Sequence, residues 1–195
     1  MELGPILSHP KSDVLVLLSG GLDSACCIDF YKDLGRRVSA LHISYGQLAE
    51  EQERDAAVRV AGHYNVPLKT GKWRGAETKS AGEVPGRNGF LILAALMEAP
   101  KDSSVIALGI HAGTDYPDCS NVFVEATERL LDVYSPPSRV LGIPFLEWRK
   151  ADIFAYAESR DVPIGLTYSC EIGGSAPCGS CVSCIDMLEL RAHAS

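Results

Sequence analysis

Val14-Leu15-Val16-Leu17-Leu18-Ser19-Gly20-Gly21-Leu22-Asp23-Ser24 is the stretch on which the reading of the fold turns. Five apolar residues in a row, ending near a glycine pair, have the look of a strand buried on both faces that runs into a loop. A helix is expected next. Cys26, Cys27, Phe30, Tyr31 and Leu34 recur at helical spacing, Asp23 or Ser24 can cap the start, and Gly35 stands where a left-handed residue ends many helices. Strand, tight loop and helix in this order put free backbone N–H groups and a positive helix end at the carboxyl edge of a sheet, which makes an anion site. The glycines allow a sharp turn and close approach of a phosphate, and the hydroxyls of Ser19 and Ser24 add donors. A lone Gly-Gly pair could equally be no more than a tight turn. The string is neither Walker A, lacking Gly-Lys-Ser/Thr, nor the dinucleotide fingerprint, lacking a third glycine.

Outward from this loop, Val38 to Ser44 reads as a second strand and Leu48 to Tyr64 as a charged amphipathic helix closed by Asn65 and Pro67. Gly71 to Asn88 is glycine-rich and aperiodic, so a long loop is expected there. Gly89 to Met97 reads as a helix, Val105 to Ile110 as a buried strand, Val122 to Leu131 and Lys150 to Ser159 as further helices. Such alternation implies an α/β fold, a doubly wound and mostly parallel Rossmann-like sheet covered on both faces. At 195 residues the chain can bury about 70% of its unfolded surface in one core, so a single domain over 1–195 is expected.

No window approaches the roughly 20 apolar residues that cross a bilayer, and Met1 to Asp13 shows no basic region followed by an apolar run. A soluble, cytoplasmic protein without membrane attachment is expected. The net charge of −7 with no basic tract argues against an extended nucleic-acid footprint and for small-molecule partners.

Four of the seven cysteines fall between Cys170 and Cys184. Cys170, Cys178, Cys181 and Cys184 have C-x7-C-x2-C-x2-C spacing, and Gly173, Gly174, Pro177 and Gly179 supply turns that can aim four sulfurs at one ion. Four thiolates suit a structural, tetrahedral Zn²⁺. An iron–sulfur cluster takes four cysteines too, and free or paired thiols in a loop are the plain alternative. Without a metal such a glycine-rich tail has little core to order it. Zinc would tie a helix, Val182 to Leu190, onto the body. Cys26 and Cys27 read as helix core packing.

Ser19-Gly20-Gly21-Leu22-Asp23-Ser24 resembles the PP-loop of the ATP pyrophosphatases, which bind the pyrophosphate of ATP there and transfer AMP to a carboxylate or carbonyl oxygen. The resemblance implies an adenine nucleotide alpha hydrolase-like fold, with ATP held along Leu18, Ser19, Gly20, Gly21, Leu22, Asp23 and Ser24, and with Asp23 supporting the loop or a Mg²⁺ ion. A PP-loop joined to a four-cysteine tail resembles the 7-cyano-7-deazaguanine synthase (QueC-like) family. Tyr45-Gly46-Gln47, Val84-Pro85-Gly86-Arg87-Asn88, Tyr116-Pro117-Asp118-Cys119 and Thr167-Tyr168-Ser169-Cys170 with Pro177-Cys178-Gly179 strengthen the match, from about Val14 to about Leu190. The zinc-binding segment is then 167–191. In that family ATP adenylates 7-carboxy-7-deazaguanine, ammonia displaces AMP to give an amide, and a second activation dehydrates it to the nitrile of the queuosine route. A homodimer is implied as well.

Adenylate chemistry asks the protein mainly for positioning and charge stabilisation. Asp23 and Arg87 are the catalytic candidates; Arg87, Asn88, His111, Tyr116 and Asp118 are the substrate-binding candidates. Arg87 can offset charge on a phosphate or carboxylate, Asn88 can hydrogen-bond either substrate, and Asp118 can accept from a guanine-like N1–H and amine. Each has a blander reading: Arg87 a loop charge, Asn88 a helix cap, Asp118 an Asx turn, Tyr116 packing. His42 alternates with apolar residues and reads as buried structure, whereas His111 follows a strand end, where α/β sheets bind ligands. Glu50-Glu51-Gln52-Glu53-Arg54-Asp55 reads as a solvated helix face.

The chain departs from the family by trimming around Trp73 to Glu83 and between Asp132 and Arg139. It also reads Ile110-His111-Ala112-Gly113-Thr114 where the family has an acidic, Ser-Gly-containing approach. These departures border the substrate pocket and leave the acceptor open. A relative that couples the activated carboxylate to another amine, such as a protein N-terminus in a defence system, is the alternative expectation. A tRNA-thiolating enzyme or a non-catalytic nucleotide-binding module stand behind it.

Overall fold

The first strand, β1 (Asp13–Leu17), lies at the centre of a five-stranded sheet. A computed structural model describes residues 13–75, 81–100, 103–111, 116–135 and 139–193. From β1 the chain passes through α1 (Leu22–Asp33) to β2 (Val38–Ser44), then through α2 (Glu50–Tyr64) to β3 (Leu68–Lys72) at one edge. Helix α3 (Arg87–Glu98) returns it to β4 (Ser103–Ala107) on the other side of β1. Helix α4 (Asn121–Tyr134) leads to β5 (Val140–Gly142), followed by α5 (Lys150–Ser159) and α6 (Val182–His193). All four pairings are parallel and the order is β3-β2-β1-β4-β5. The winding direction reverses between β1 and β4, so their carboxyl ends open a crevice at the switch point.

The apolar run of β1 serves two cores, because side chains alternate across a strand. Val14, Val16 and Leu18 join α1, α2 and α5 residues such as Ile28, Val60 and Ile153. Leu15 and Leu17 join Ile92 of α3 and Leu131 of α4 on the opposite face. Each such buried side chain contributes about 1.5–3 kcal/mol relative to exposure. Cys26 and Cys27 are buried in the first core, as their helical spacing suggested. His42 is buried with Nδ1 2.9 Å from the Leu18 carbonyl, a structural placement, and burial pushes its imidazole below the ordinary range.

Several sequence expectations require correction. β3 overlaps the expected loop at Gly71 and Lys72; Leu-Lys-Thr-Gly-Lys has no apolar alternation, and the open edge of β2 pairs with it from Ala40↔Leu68 to Ser44↔Lys72. β5 is three residues long and carries no periodic signal. Helix α3 begins at Arg87, so Arg87 and Asn88 occupy its first turn, and left-handed Gly86 is its N-cap in place of Asn88. Gly21 in extended conformation caps α1, with no side-chain cap from Asp23 or Ser24. Residues 112–115, 76–80 and 136–138, parts of the departures noted above, lie outside the described residues, as do 1–12.

Candidate active site

Leu18 extends β1 by donating to the Leu41 carbonyl at 2.9 Å, and the chain then turns at Ser19-Gly20-Gly21 into α1. Ser19 Oγ lies 3.1 Å from Ser24 Oγ and accepts from the Gly21 N–H at 3.2 Å; Ser24 Oγ donates to the Gly21 carbonyl at 2.9 Å. Gly20 has φ +94, and a Cβ on it would sit 2.4 Å from the Glu53 carbonyl oxygen. Only glycine lets the loop lie flat on the first turns of α2. The Tyr168 N–H donates to the Gly20 carbonyl at 2.9 Å, tying the tail to the same loop. Open backbone donors at the start of α1, two hydroxyls and a helix dipole converge here, an arrangement suited to phosphate oxygens.

Asp23, in the first turn of α1, receives both of its partners from the far side of the crevice. Lys150 Nζ, at the start of α5, donates to its two oxygens at 2.5 and 2.6 Å. His111, just beyond β4, brings Nε2 to 3.8 Å from Asp23 Oδ2. The loop carrying His111 lies against α1 so closely that a Cβ on Gly109 would be 2.7 Å from the Asp23 carbonyl. Burial pushes the His111 imidazole below its ordinary range, with Asp23 opposing. The sequence marks Lys150 only as a helix start; nothing in its neighbours singles it out. Its place at the sheet's carboxyl edge, opposite Asp23, is a tertiary fact.

A second group gathers beside the loop. Asn88 donates from its backbone to Asp118 Oδ2 and from Nδ2 to the Asp118 carbonyl, both at 3.3 Å, and Arg87 Nε reaches Asn88 Oδ1 at 3.4 Å. Arg87 also pairs with the Tyr45 phenol, which burial pushes up and Arg87 holds down. Tyr116 precedes the short 3-10 turn Pro117–Cys119, and burial pushes its phenol up, with Glu171 adding to the rise and Arg87 opposing it. An open cleft of about 410 Å³ is lined by Tyr45, Trp73, Glu83, Arg87 and Phe90 among others. The Trp73 and Phe90 rings stand 5.6 Å apart at its wall. Arg87, Asn88, Tyr116 and Asp118 therefore come together, whereas His111 stands with Asp23 and Lys150.

Glu53 joins the two groups. Its main chain abuts Gly20, and its side chain accepts from Gln47 Nε2 at 2.7 Å, while Gln47 Oε1 accepts from the Tyr45 N–H at 2.8 Å. Burial pushes the Glu53 carboxyl up to about 7; Gln47 and Arg87 oppose the rise and Glu171 adds to it. The charged run of α2 is thus only partly a solvated face: Glu51, Arg54 and Asp55 are exposed, and Glu53 is turned inward.

Cys170, Cys178, Cys181 and Cys184 place their sulfurs within 4.8 Å of one another. A tetrahedral zinc with bonds of about 2.3 Å spaces its sulfurs by about 3.8 Å, and Cys178 and Cys184 Sγ lie 3.9 Å apart. The Ser180 and Cys181 N–H groups donate to Cys178 Sγ at 3.5 and 3.3 Å. Hydrogen bonds from Ser180 and Cys181 bring the Cys178 thiol down to about 6. Donor set and spacing fit a zinc ion. Glu171 accepts from Ser183 N and Oγ at 3.3 and 2.7 Å, seating the start of α6 beside the cluster.

A Ser-Gly-Gly loop at the switch point of a doubly wound parallel sheet, with a cysteine-bearing tail tied to it, defines the class: an α/β protein of the PP-loop type. Solved structures agree in fold. NMN synthetase from Francisella tularensis superposes with a TM-score of 0.50 at 16% identity, covering 87% of this chain and 71% of that one. A predicted subunit of a tRNA methyltransferase from Methanocaldococcus jannaschii gives 0.51 at 16%, covering 76% of each. The family model for queuosine biosynthesis protein QueC matches residues 13–74 and 74–194, and the chain belongs to that family. A 7-cyano-7-deazaguanine synthase from a Synechococcus strain (RCC307) is 32% identical over 203 residues, 89% of this chain and 91% of that protein. One from Methanospirillum hungatei is 33% identical over 201 residues, with 89% and 91% covered. Both alignments are longer than this 195-residue chain, so gaps open on its side, in keeping with trimmed segments. Among the described residues no helix is long and apolar enough to cross a membrane.

Proposed function

We propose that this chain uses ATP to activate the carboxylate of a 7-deazaguanine as an acyl adenylate and passes it to ammonia, taking 7-carboxy-7-deazaguanine through the amide to 7-cyano-7-deazaguanine. The observation that carries the reading is the meeting of the Ser19–Ser24 loop with Asp23, Lys150 and His111, next to a cleft whose polar end is Arg87. Membership of the QueC family supports the substrate and the place in queuosine formation.

In this reading residues 18–24 hold the phosphates, the backbone N–H groups and the Ser19 and Ser24 hydroxyls donating to their oxygens. Asp23 would hold Mg²⁺, which when bound offsets phosphate charge. Lys150 swings from Asp23 to the phosphates as charge builds on the leaving pyrophosphate, a stabilisation made mainly in the transition state. Trp73 and Tyr45 flank the deazaguanine, Asp118 accepts from its N1–H and amine side, Asn88 orients the carboxylate, and Arg87 offsets its charge while it attacks phosphorus. His111 and Tyr116 close the two ends of the site. The four cysteines would hold a structural zinc, so that segment 167–191 anchors the single catalytic unit. The homodimer implied by the resemblance belongs to the same proposal.

Incubation of the purified protein with ATP, 7-carboxy-7-deazaguanine and ammonium, followed by mass detection, tests the product. A species lighter than the amide by one water is expected; accumulation of the amide alone contradicts nitrile formation. A second reading, coupling to another amine such as a protein N-terminus, is favoured by the gaps on this chain's side of the alignments and by the open cleft. A product of that kind would appear as a deazaguanine-sized mass on a protein added to the mixture.

A further inference from the structure

Glu53 occupies a position that the activation chemistry does not use. It sits in the first turn of α2, which the phosphate loop touches directly, because the Glu53 main-chain oxygen lies where a Gly20 side chain would be. Its carboxyl is held by Gln47, whose amide also binds Tyr45 of the cleft wall, and Arg87 of the same wall is close enough to favour its ionised form. Gln47 fixes it from one side only. The buried Gln47 amide accepts from the Tyr45 N–H with its oxygen, which leaves its nitrogen to donate to Glu53 Oε2 at 2.7 Å. Among the described residues no group bonds the other oxygen.

A carboxylate kept for structure is ordinarily paired with a cation, since an unpaired charge costs free energy on burial. Asp23 has Lys150, and Glu50 on the same helix has Lys72. Glu53 instead has a neutral amide. Of the charged groups that face it, Arg87 from α3 is engaged with Tyr45 and Asn88, and Glu171 from the tail repels it. The result is a partly desolvated carboxyl held up to about 7 by burial, where an ordinary glutamate titrates near about 4.3. A proton acceptor works best when its affinity for protons matches the working pH.

The step that needs such a group follows activation and rests on the activation reading above. When ammonia attacks the acyl adenylate, a C–N bond forms, the C–O bond to AMP breaks, and AMP leaves with the bonding electron pair. The nitrogen, now positively charged, must lose one proton to give the neutral amide. We infer that Glu53 is the acceptor of that proton, its free oxygen facing the nitrogen nucleophile at the junction of phosphate loop and cleft.

The test uses the full-length, zinc-loaded protein and Glu53→Gln, with two readings that separate the steps. Carboxylate-dependent exchange of labelled pyrophosphate into ATP, without any amine, reports activation; amide formation with ammonium reports the nitrogen step. Exchange in the variant is expected to stay close to that of the parent, while amide formation falls by about 100-fold or more. Hydroxylamine, whose less basic nitrogen gives a more acidic adduct that loses its proton to water, is expected to restore much of the rate in the variant. Glu53→Asp, with its shorter carboxylate, is expected to fall between the two. Amide formation by Glu53→Gln at the parental rate would overturn the inference, as would loss of exchange and amide formation together, which would mark Glu53 as support for the loop. Absence of exchange in the parent would instead contradict the activation reading, and the inference with it.

Discussion

Lys150 Nζ bonds both carboxylate oxygens of Asp23, at 2.5 and 2.6 Å, across 127 residues of chain. The pair joins the first turns of α1 and α5 over the crevice at the switch point, so a single ion pair spans the place where a nucleotide's phosphates would lie. In the proposed reaction Lys150 exchanges this partner for the phosphates. Lys150→Ala is therefore expected to slow carboxylate-dependent pyrophosphate exchange by about 100-fold or more, with only a small change in melting temperature. Parental exchange in the variant would remove Lys150 from the mechanism.

Gly20 gives a prediction that needs no substrate but ATP. A side chain there meets the Glu53 carbonyl at 2.4 Å and must adopt φ near +94. Gly20→Ala should cost about 1–3 kcal/mol of stability through backbone strain and weaken ATP binding, read by calorimetry. Gly35 also has positive φ, +69, but open space around it. Gly35→Ala should lower the melting temperature somewhat and leave ATP binding alone.

The cysteine cluster is linked to the loop through the Tyr168 N–H to Gly20 carbonyl bond, two residues before Cys170. Elemental analysis should find one zinc per chain, lost in Cys178→Ser. Because metal binding is coupled to folding, the variant should melt lower and bind ATP more weakly. Full ATP affinity after zinc removal would show that the tail and the loop are independent.

Glu53 also makes a stability prediction with a definite sign. Its carboxyl titrates higher in the folded protein, at about 7, than the ordinary value of about 4.3, so its contribution to stability is full below about 4.3 and is lost as pH rises through 7. Glu53→Gln removes the charge and keeps the shape. Its melting temperature should exceed the parent's at pH 8, with the gap closing toward pH 5. A variant less stable than the parent at pH 8 would contradict the placement of Glu53 as a carboxylate bonded to a neutral amide.

What the amino-acid order made legible follows from where the physics is local. The Val14–Leu18 run, the glycine pair and the helical spacing after it carry strand, turn and helix within one another's reach, and the cysteine spacing carries the cluster of four thiols. β3 escaped because Lys69, Thr70 and Lys72 face solvent on an edge, where pairing with β2 and not side-chain burial makes the strand. Lys150 and Glu53 escaped for a different reason. Each looks like an ordinary charge on an amphipathic helix, and only the packing of α5 and α2 against the loop turns it inward. Tyr45-Gly46-Gln47 stands out as a string, but its hold on Glu53 lies in the fold, where Gln47 is bonded at both ends of its amide.

The most direct measurement follows an oxygen atom. If 7-carboxy-7-deazaguanine carrying a heavy oxygen isotope in its carboxylate is converted with ATP and ammonium, adenylation of the carboxylate requires one labelled oxygen to leave with the AMP. Mass analysis of the nucleotide is predicted to find the label in the AMP phosphate, with pyrophosphate unlabelled. Unlabelled AMP, or conversion of ATP to ADP and a labelled phosphate, would contradict activation through an acyl adenylate.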